Sequence, residues 1–473
     1  MSDHVELRTG AYADSVTLLQ VSRQVQQLPG VATAQVAMAT PLNVEVLERM
    51  GFAIPEEVTP NHLVVAIRMS DMTADGDVDA VRAEVDRAMT DSRRQVGGPT
   101  EDAPPRTTTA ALRREPGALV LVSVPGASAT VEAMDALESG SDVMVFSDNV
   151  PVEQELALKT YAARRDLLVM GPDCGTAVVG GLGLGFANVV APGPVGIVAA
   201  SGTGCQQVLA LLDHAGVGVT TAYGVGGRDL SADIGGLATR TALARLDADP
   251  SVELALVISK PPAPEVAGEL TAYAETLRIP VRLALLGPGR PDLTDATETL
   301  LRELGVDLPA WPVRGTTRAA RGPRLHGLFV GGTMKQEAEV LVGEAGLAPG
   351  LCDLVDFGAD EYTTGRAHPM IDPSLRLERL AAVAADPETG VLLMDVVLGH
   401  GAEPDPAASL APAIHGIRPA VVITVVGTAH DPQGLDRQVG ALAEAGAEVH
   451  LSNADATRRA LEILAAPTTG DVR

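Results

Sequence analysis

The sequence is poor in aromatic residues and in cysteine, and each shortage excludes a class of site. The 473 residues include five Phe, five Tyr and one Trp, too few rings to build a stacking platform for bases or sugars. The three cysteines, Cys174, Cys205 and Cys352, lie far apart and show no CxxC spacing. We therefore expect neither a disulfide framework nor a zinc centre, and we predict no metal site.

Long apolar runs and positive charge are also lacking. No stretch approaches about 18 uninterrupted apolar residues, and the opening residues MSDHVELRTG lack the apolar core of a signal peptide. The 35 basic residues are outnumbered by 61 acidic ones, which gives a formal charge of −26. That balance argues against a nucleic acid or an anionic membrane as the main partner. The sequence therefore predicts a cytoplasmic protein, although local sites for a small anion remain possible.

Hydrophobic residues and glycine, in contrast, are plentiful. Hydrophobic residues make up 46% of the chain and glycine fills 49 positions, so large cores can be buried. The length corresponds to roughly three domains of about 150 residues. The pattern predicts a small α+β unit over residues 1–95, a linker over 93–116 and three α/β units, which cover residues 116–190, 191–310 and 324–473.

From residue 118 onward, apolar strands alternate with helical segments. The runs ALVLVSVPG, VGIVAA and VLLMDVVLG are almost continuously apolar, which is typical of strands buried on both faces of a parallel sheet. Residues 171–185 are rich in glycine, and we predict an irregular loop there. The predicted fold class is therefore α/β with a small N-terminal α+β unit.

Three glycine-containing turns each follow an apolar strand. They are Ser201-Gly202-Thr203-Gly204, Val330-Gly331-Gly332-Thr333 and Leu398-Gly399-His400-Gly401. Glycine lets backbone N–H groups approach a phosphate, and the positive end of a helix dipole favours an anion. In open α/β sheets such turns lie at the carboxyl ends of strands, where ligands bind. None matches the P-loop pattern GxxxxGK[ST], so we predict a phosphate site of another kind, with tight packing as the alternative.

Several blocks of the sequence resemble the FdrA family, which is related to the succinyl-CoA synthetase group. They are SDNVPVEQELALKTYA, LLVMGPDCGT, ASGTG, GVGGRDLS, SKPPA, GRAHPMIDP and DPAASL. The resemblance implies a CoA-binding Rossmann-like domain over 116–190, a flavodoxin-like domain over 191–310 and a synthetase β C-terminal-like domain over 324–473. It also implies that two helix N-termini face one phosphate, the first at Ser201-Gly202-Thr203 and the second at Gly399-His400-Gly401.

Two parts of an ATP-driven synthetase have no counterpart in the sequence. The four predicted units leave no residues for an ATP-grasp domain, and residues 287–300, where the resemblance would place a phosphohistidine, contain no histidine. Members of the FdrA family are linked to an oxamate carbamoyltransferase, which uses carbamoyl phosphate and needs neither part. We therefore predict a carbamoyltransferase subunit that uses carbamoyl phosphate and a small amide or amine acceptor, without a cofactor and together with other subunits. The alternatives are an acyl-CoA synthetase subunit with a separate ATP-grasp chain, and a non-catalytic subunit that binds CoA or a nucleotide.

Candidate catalytic residues lie in two further motifs and in the third turn. In TTGRAHPMID, Arg366 offers a planar fork for a carboxylate or phosphate, and His368 can donate to a developing oxyanion. His400 lies between two glycines and is a weaker candidate. In GVGGRDL, Gly226 and Gly227 precede Arg228, which would orient the phosphate or the acceptor.

Each candidate also has a purely structural interpretation. Arg366 and His368 could belong to a loop held by prolines, and Arg228 could pair with Asp229 to brace its turn. Lys260 could meet an anion at the end of a strand, but we favour a solvent-facing lysine. Asp395 is more typical of a cap or hydrogen-bond anchor than of a base. Cys174 reads as a small buried hydrophobic residue, because no base adjoins it in the sequence.

Overall fold

The computed structural model describes residues 2–9, 11, 13, 15–55, 57–59, 61–70, 77–96, 105–348, 350–363 and 367–466. The chain forms two compact units. Unit 1 is Met1–Pro105 with Thr363–Ala367, and unit 2 is Arg106–Tyr362 with His368–Arg473. Unit 2 contains the three predicted α/β units, whose mutual boundaries remain a prediction. Among the described residues, no helix is long and apolar enough to cross a membrane.

Unit 1 is a three-stranded antiparallel sheet with helices. Its elements are β1 (Ser2–Arg8), α1 (Ser15–Gln26), β2 (Val31–Met38), α2 (Pro41–Arg49), β3 (Leu63–Met69) and α3 (Asp77–Val96). The strand order is β1-β3-β2. β3 lies in the centre, and its alternate residues enter two cores: Val65 and Ile67 pack with α1 and α3, whereas Val64 and Ala66 pack with α2. The small α+β unit predicted from the sequence is therefore present.

Unit 2 begins with a short parallel sheet. Its elements are α4 (Thr108–Leu112), β4 (Val120–Val122), α5 (Gly126–Glu138), β5 (Val143–Val145), α6 (Val152–Ala163) and β6 (Val169–Met170), with strand order β4-β5-β6. The predicted linker is wrong at both ends, because α3 continues to Val96 and α4 forms inside it. Thr107 caps α4, and Asp135 of α5 accepts a hydrogen bond from Thr109 N at 2.9 Å.

The second sheet of unit 2 has six strands. Its elements are β7 (Thr176–Val179), β8 (Leu182–Gly185), β9 (Val195–Ala200), α7 (Gly202–His214), β10 (Val219–Gly224), α8 (Leu237–Ala248), β11 (Leu254–Ser259), α9 (Pro264–Ala274), β12 (Val281–Leu285) and α10 (Leu293–Glu303). The strand order is β12-β11-β9-β10-β7-β8. The loop predicted over 171–185 is partly wrong, since β7 and β8 form a hairpin. Gly180 and Gly181 connect them with positive φ, as a two-residue turn requires.

The third sheet also has six strands. Its elements are β13 (Val313–Arg314), β14 (Arg324–Phe329), α11 (Gly332–Glu344), β15 (Cys352–Asp356), α12 (Asp360–Thr363), α13 (Ser374–Ala385), β16 (Thr389–Val397), α14 (Pro406–Ile414), β17 (Ala420–Val426), α15 (Leu435–Glu444), β18 (Glu448–His450) and α16 (Asn453–Ala465). The order is β13-β18-β17-β16-β14-β15, parallel except for β13. Every residue of β16 and β17 is buried, which explains their continuous apolar sequence.

In both six-stranded sheets the order in which strands are added reverses at one strand. After β9 the chain adds β10 on one side and β11 on the other, and after β14 it adds β15 on one side and β16 on the other. Helices pack the two sheets together, because α7 contacts α10, α11 and β17. Ligands of open α/β sheets bind at the carboxyl end of the strand where the order reverses. The turns after β9 and β14 are therefore the expected ligand-binding positions of the two sheets.

Candidate functional site

Helix α7 begins directly after β9. Ser201 is its N-cap, with extended backbone at φ −165° and ψ 121°, and its Oγ accepts a hydrogen bond from Gly204 N at 2.9 Å. The first N–H groups of a helix have no intrahelical acceptor. Ser201 satisfies only the third of them, so those of Gly202 and Thr203 remain for a ligand.

Helix α11 begins after β14 and lacks a capping side chain. Its N-cap is Gly331, and no side chain of the described residues caps the helix. Asp395, the third residue from the end of β16, fixes the turn before α11: its Oδ1 accepts from Val330 N at 2.7 Å and its Oδ2 from Gly331 N at 3.0 Å. Asp395 is thus a hydrogen-bond anchor, as one interpretation of the sequence had it. The amides of Gly332 and Thr333 belong to the first turn of α11, where backbone N–H groups have no intrahelical acceptor.

The N-termini of α7 and α11 touch each other. Ser201 Oγ and Thr333 Oγ1 share a buried hydrogen bond. A Cβ built on Gly331 would lie only 2.8 Å from Thr203 Oγ1, so the approach requires glycine. Two helix dipoles therefore bring their positive ends to one point, which favours binding of an anion there.

A lysine and an aspartate flank this point. Lys260 follows β11 and is half-buried, and Asp356 ends β15. A Cβ on Gly332 would lie 3.2 Å from Lys260 Nζ and 2.6 Å from Asp356 Oδ2. Burial raises the pKa of Asp356 above its ordinary value, against the opposing effects of the Gly358 amide and of Lys260. The amino group of Lys260 and the carboxyl group of Asp356 thus both lie beside the start of α11.

His368 lies on the far side of Asp356. Its Nδ1 accepts from Met370 N at 3.3 Å, so the proton of the neutral ring is on Nε2. A Cβ on Gly358, whose N–H binds Asp356, would lie 2.8 Å from that Nε2. Burial lowers the pKa of His368 to about 4. His368 is therefore neutral at pH 7 and can donate a hydrogen bond from Nε2.

The third turn lies beside Phe186, whose ring in turn lies beside His368. His400 is exposed, and its N–H donates to Ala187 O at 2.8 Å. A Cβ on Gly401 would lie 3.0 Å from the ring of Phe186, whose centroid is 5.6 Å from that of His368. No helix begins at Gly399, because α14 starts at Pro406. The helix N-terminus that meets Ser201 is therefore that of α11, and not the third turn as the family resemblance implies.

Arg228 takes part in a separate charge network. Its Nε donates to Glu155 Oε2 at 2.9 Å and its guanidinium also donates to Val150 O at 2.8 Å. The structural alternative predicted from the sequence, an Arg228–Asp229 pair, is therefore wrong, because Arg228 pairs with Glu155. Asp229 instead binds the fully buried Lys159 at 2.8 Å and caps α8 at Thr239 N. Arg228 and Lys159 thus join α6 to the turn after β10.

Of the two glycines before Arg228, only Gly226 is needed for packing. A Cβ on Gly226 would lie 2.5 Å from Pro172 O, whereas one on Gly227 would meet nothing within 4 Å.

Arg366 lies outside the described residues. Burial raises the pKa of Cys174 far above its ordinary value, which agrees with a buried hydrophobic role. Of the residues near the helix ends, Asp356 was missed because its sequence context is that of an ordinary strand end.

Two family models match the chain. The AllF heavy metal-associated domain covers residues 1–105, and the CoA-ligase domain covers residues 328–463. The first description implies a metal, but the residues do not fit one. All three cysteines lie beyond residue 105, and no group of three His, Cys, Asp or Glu in the described part of the chain could hold a metal ion.

Known proteins resemble the chain to different extents. The α subunits of succinate–CoA ligase from Methanothermobacter thermautotrophicus and of malate–CoA ligase from Methylorubrum extorquens are each 27% identical to it, over 36% and 31% of this chain and 58% and 51% of theirs. The chain thus spans little more than half of these subunits. A solved acetyl-coenzyme A synthetase from Ca. Korarchaeum cryptofilum is 14% identical, with a TM-score of 0.29 over 73% of this chain and 84% of its own.

One similarity extends over nearly the whole chain. The "Uncharacterized protein YahF" of Escherichia coli (strain K12) is 36% identical in an alignment 496 positions long, which covers 94% of this chain and 95% of that protein. In this chain an AllF-type N-terminal domain precedes a CoA-ligase-like part, and the identity over nearly the whole length shows that the chain belongs to the YahF family.

Proposed function

We propose that this chain is the acyl-transfer subunit of an enzyme of the CoA-ligase type. It binds an acyl phosphate where α7 and α11 begin and passes the acyl group to the thiol of coenzyme A. The observation that carries the proposal is the hydrogen bond between Ser201 and Thr333, because it joins the positive ends of two helices. The matches to the CoA-ligase domain and to two ligase α subunits support the same reaction class.

Backbone amides and side chains near the two helices have separate roles in this proposal. The amides of Gly202, Thr203, Gly332 and Thr333 bind the phosphate, and Lys260 neutralises part of its charge. His368 donates from Nε2 to the acyl oxygen as negative charge develops on it. The thiol sulfur attacks the acyl carbon, the bond from that carbon to the phosphate oxygen breaks, and the departing phosphate takes the thiol proton. Arg366, which the structure does not describe, stays a candidate for the substrate carboxylate.

Substitution at Gly332 tests the anion site. A Cβ there would meet Asp356 Oδ2 at 2.6 Å and Lys260 Nζ at 3.2 Å, whereas a Cβ on Gly343 in the same helix would meet nothing within 4 Å. Gly332→Ala should therefore weaken acetyl phosphate binding about 10-fold or more, and Gly343→Ala should leave it unchanged. Isothermal titration calorimetry measures both. Equal affinity of the two variants for acetyl phosphate would show that the ligand does not bind at the start of α11.

Carbamoyl transfer is the second candidate, and the start of α5 favours it. A Cβ on Gly126 would lie 2.2 Å from Asp148 O and 2.7 Å from Asn149 O. These carbonyls place negative partial charge close to the start of α5, where a Rossmann-like domain binds a pyrophosphate. An acceptor smaller than coenzyme A fits this better. The chain would then be a subunit of an oxamate carbamoyltransferase of the FdrA type, with carbamoyl phosphate as donor and further subunits as partners.

Two assays of the complex co-purified with its partner chains separate these candidates. Thioester formation from acetyl phosphate and coenzyme A, without use of carbamoyl phosphate, supports the ligase type. Phosphate release from carbamoyl phosphate that depends on oxamate supports carbamoyl transfer. Phosphate binding without either reaction identifies a non-catalytic subunit. The proposal further expects ATP-dependent formation of the acyl phosphate to require a separate chain.

The pH dependence of transfer tests the role of His368. Because the pKa of its ring is lowered to about 4 from 6.5, the ring keeps its donor at Nε2 throughout pH 5 to 8. The rate constant of transfer should therefore show no titration attributable to His368 in that range. His368→Gln, which retains an N–H donor, should keep more activity than His368→Ala. A break near pH 6.5 that disappears in His368→Gln would contradict a neutral donor.

A further inference from the structure

A cavity opens at the edge of the third sheet opposite the helix N-termini. Its volume is about 370 Å³, within the range of small-molecule sites. It lies where β14 and β15 begin, beside α13. The lining residues are Arg324, Leu325, His326, Gly350, Leu351, Cys352, Asp353, Arg379, Ala382, Val383 and Asp386. The wall thus combines apolar side chains with two guanidinium groups, two carboxylates and an imidazole.

His326 is the buried polar group of this cavity. It is only 6% exposed, and its Nε2 has no hydrogen-bond partner in the described part of the chain. Its Nδ1 lies 3.4 Å from Asp353 Oδ2, so the carboxylate favours the proton on Nδ1 and leaves Nε2 as an acceptor. Burial lowers the pKa of His326, against the opposing effect of Asp353. A buried acceptor without a donor is costly, so a ligand that donates to Nε2 would be stabilised.

The two carboxylates are already engaged, whereas one arginine is not. Asp353 binds Arg379 at 2.9 Å, and Asp386 Oδ1 accepts from Glu388 N at 2.9 Å. Arg324 is exposed and forms no ion pair with a described residue. Its guanidinium can therefore bind a carboxylate. The apolar side chains Leu325 and Leu351 are left for the body of the ligand.

We propose that this cavity binds a small organic acid that carries a carboxylate for Arg324 and a hydroxyl or N–H group for His326 Nε2. The site is distinct from the one where α7 and α11 begin. The six residues of β14, at about 3.3 Å each, separate the cavity from Gly331. The proposal does not depend on the proposed function.

Three matched probes test it by isothermal titration calorimetry on the full chain. Mandelate carries a carboxylate, a hydroxyl and an apolar ring, phenylacetate lacks the hydroxyl, and mandelamide lacks the charge. Mandelate should bind saturably and about 10-fold more tightly than either of the others. Comparable affinity for all three probes, or no saturable binding of mandelate, would overturn the proposal.

Two exposed arginines provide the matched variants. Arg324→Gln should weaken mandelate binding about 10-fold or more, because it removes a charged hydrogen bond. Arg318→Gln should have no effect, because Arg318 is exposed and does not line the cavity. Both substitutions change exposed side chains, so both variants are expected to fold. Equal loss in the two variants, or a soaked crystal with mandelate away from His326, would show that the cavity is not the site.

Discussion

Replacing Lys260 by methionine should lower the rate of transfer from an acyl phosphate about 100- to 1,000-fold, the range found when one preorganised donor to a developing anion is removed. Lys260 Nζ lies at the start of α11, 3.2 Å from the Cβ position of Gly332. Asp356 interacts with the charge of the half-buried Lys260, but burial raises the pKa of that carboxyl, so we expect the lysine to interact with the phosphate as well. Methionine keeps the length of the side chain and removes only that charge. Single-turnover kinetics with acetyl phosphate would measure the loss.

Lys335 supplies the matched control. It also lies on α11 and acts on Asp356, but its Nζ forms an ion pair with Glu339 at 2.5 Å. Lys335→Met should therefore change the rate little. If Lys260→Met and Lys335→Met lose the same activity, the effect is one of general charge and Lys260 does not bind the phosphate. Lys260→Met should also weaken the binding of inorganic phosphate, so the loss of binding free energy can be compared with the loss of rate.

Much of the fold could be predicted because it is encoded locally. The strands β9, β16 and β17 are buried along their whole length, and such strands read as continuous apolar runs. The hairpin of β7 and β8 was missed because its glycines weaken the strand signal. The strands β7 and β8 pair with each other, and β7 also pairs with β10 through Ala222 and Val178. Residues about 40 positions apart in the chain thus attach the hairpin to the sheet.

The site could be predicted only in part, because its decisive contacts join distant residues. The turn after β9 was identified from its sequence, but its partner lies 132 positions away, at Thr333. Nothing in the sequence distinguishes the second turn from the third as that partner. Lys260 was read as solvent-facing because only the fold brings Gly332 and Asp356 to it. Arg228 was read as a ligand-binding arginine because Glu155, its partner, lies 73 positions before it.

The largest loss of stability should follow from Asp395→Ala. Asp395 is completely buried and accepts from two backbone amides, and its carboxylate lies 3.8 Å from the guanidinium of the buried Arg376. Alanine would leave that guanidinium without its counter-charge, which costs about 3–5 kcal/mol for a buried pair. Chemical denaturation would measure the change. Glu269→Ala, which breaks an exposed pair with Arg240, should cost less than about 1 kcal/mol.

A second substitution and the pH dependence separate the lost charge from other damage. Adding Arg376→Met to Asp395→Ala should recover part of the stability, because the uncompensated charge is then absent. Burial raises the pKa of Asp395 to about 6 from 3.8, against the opposing effect of Arg376. The unfolded carboxyl therefore ionises first, and the wild-type free energy of unfolding should fall as the pH rises through that interval. This component should be missing from Asp395→Ala. Two results together would contradict this account: a double variant no more stable than Asp395→Ala, and a pH dependence of Asp395→Ala equal to that of the wild type. Asp395 would then act only as a hydrogen-bond acceptor for the turn at Gly331, and the buried pair would contribute nothing to stability.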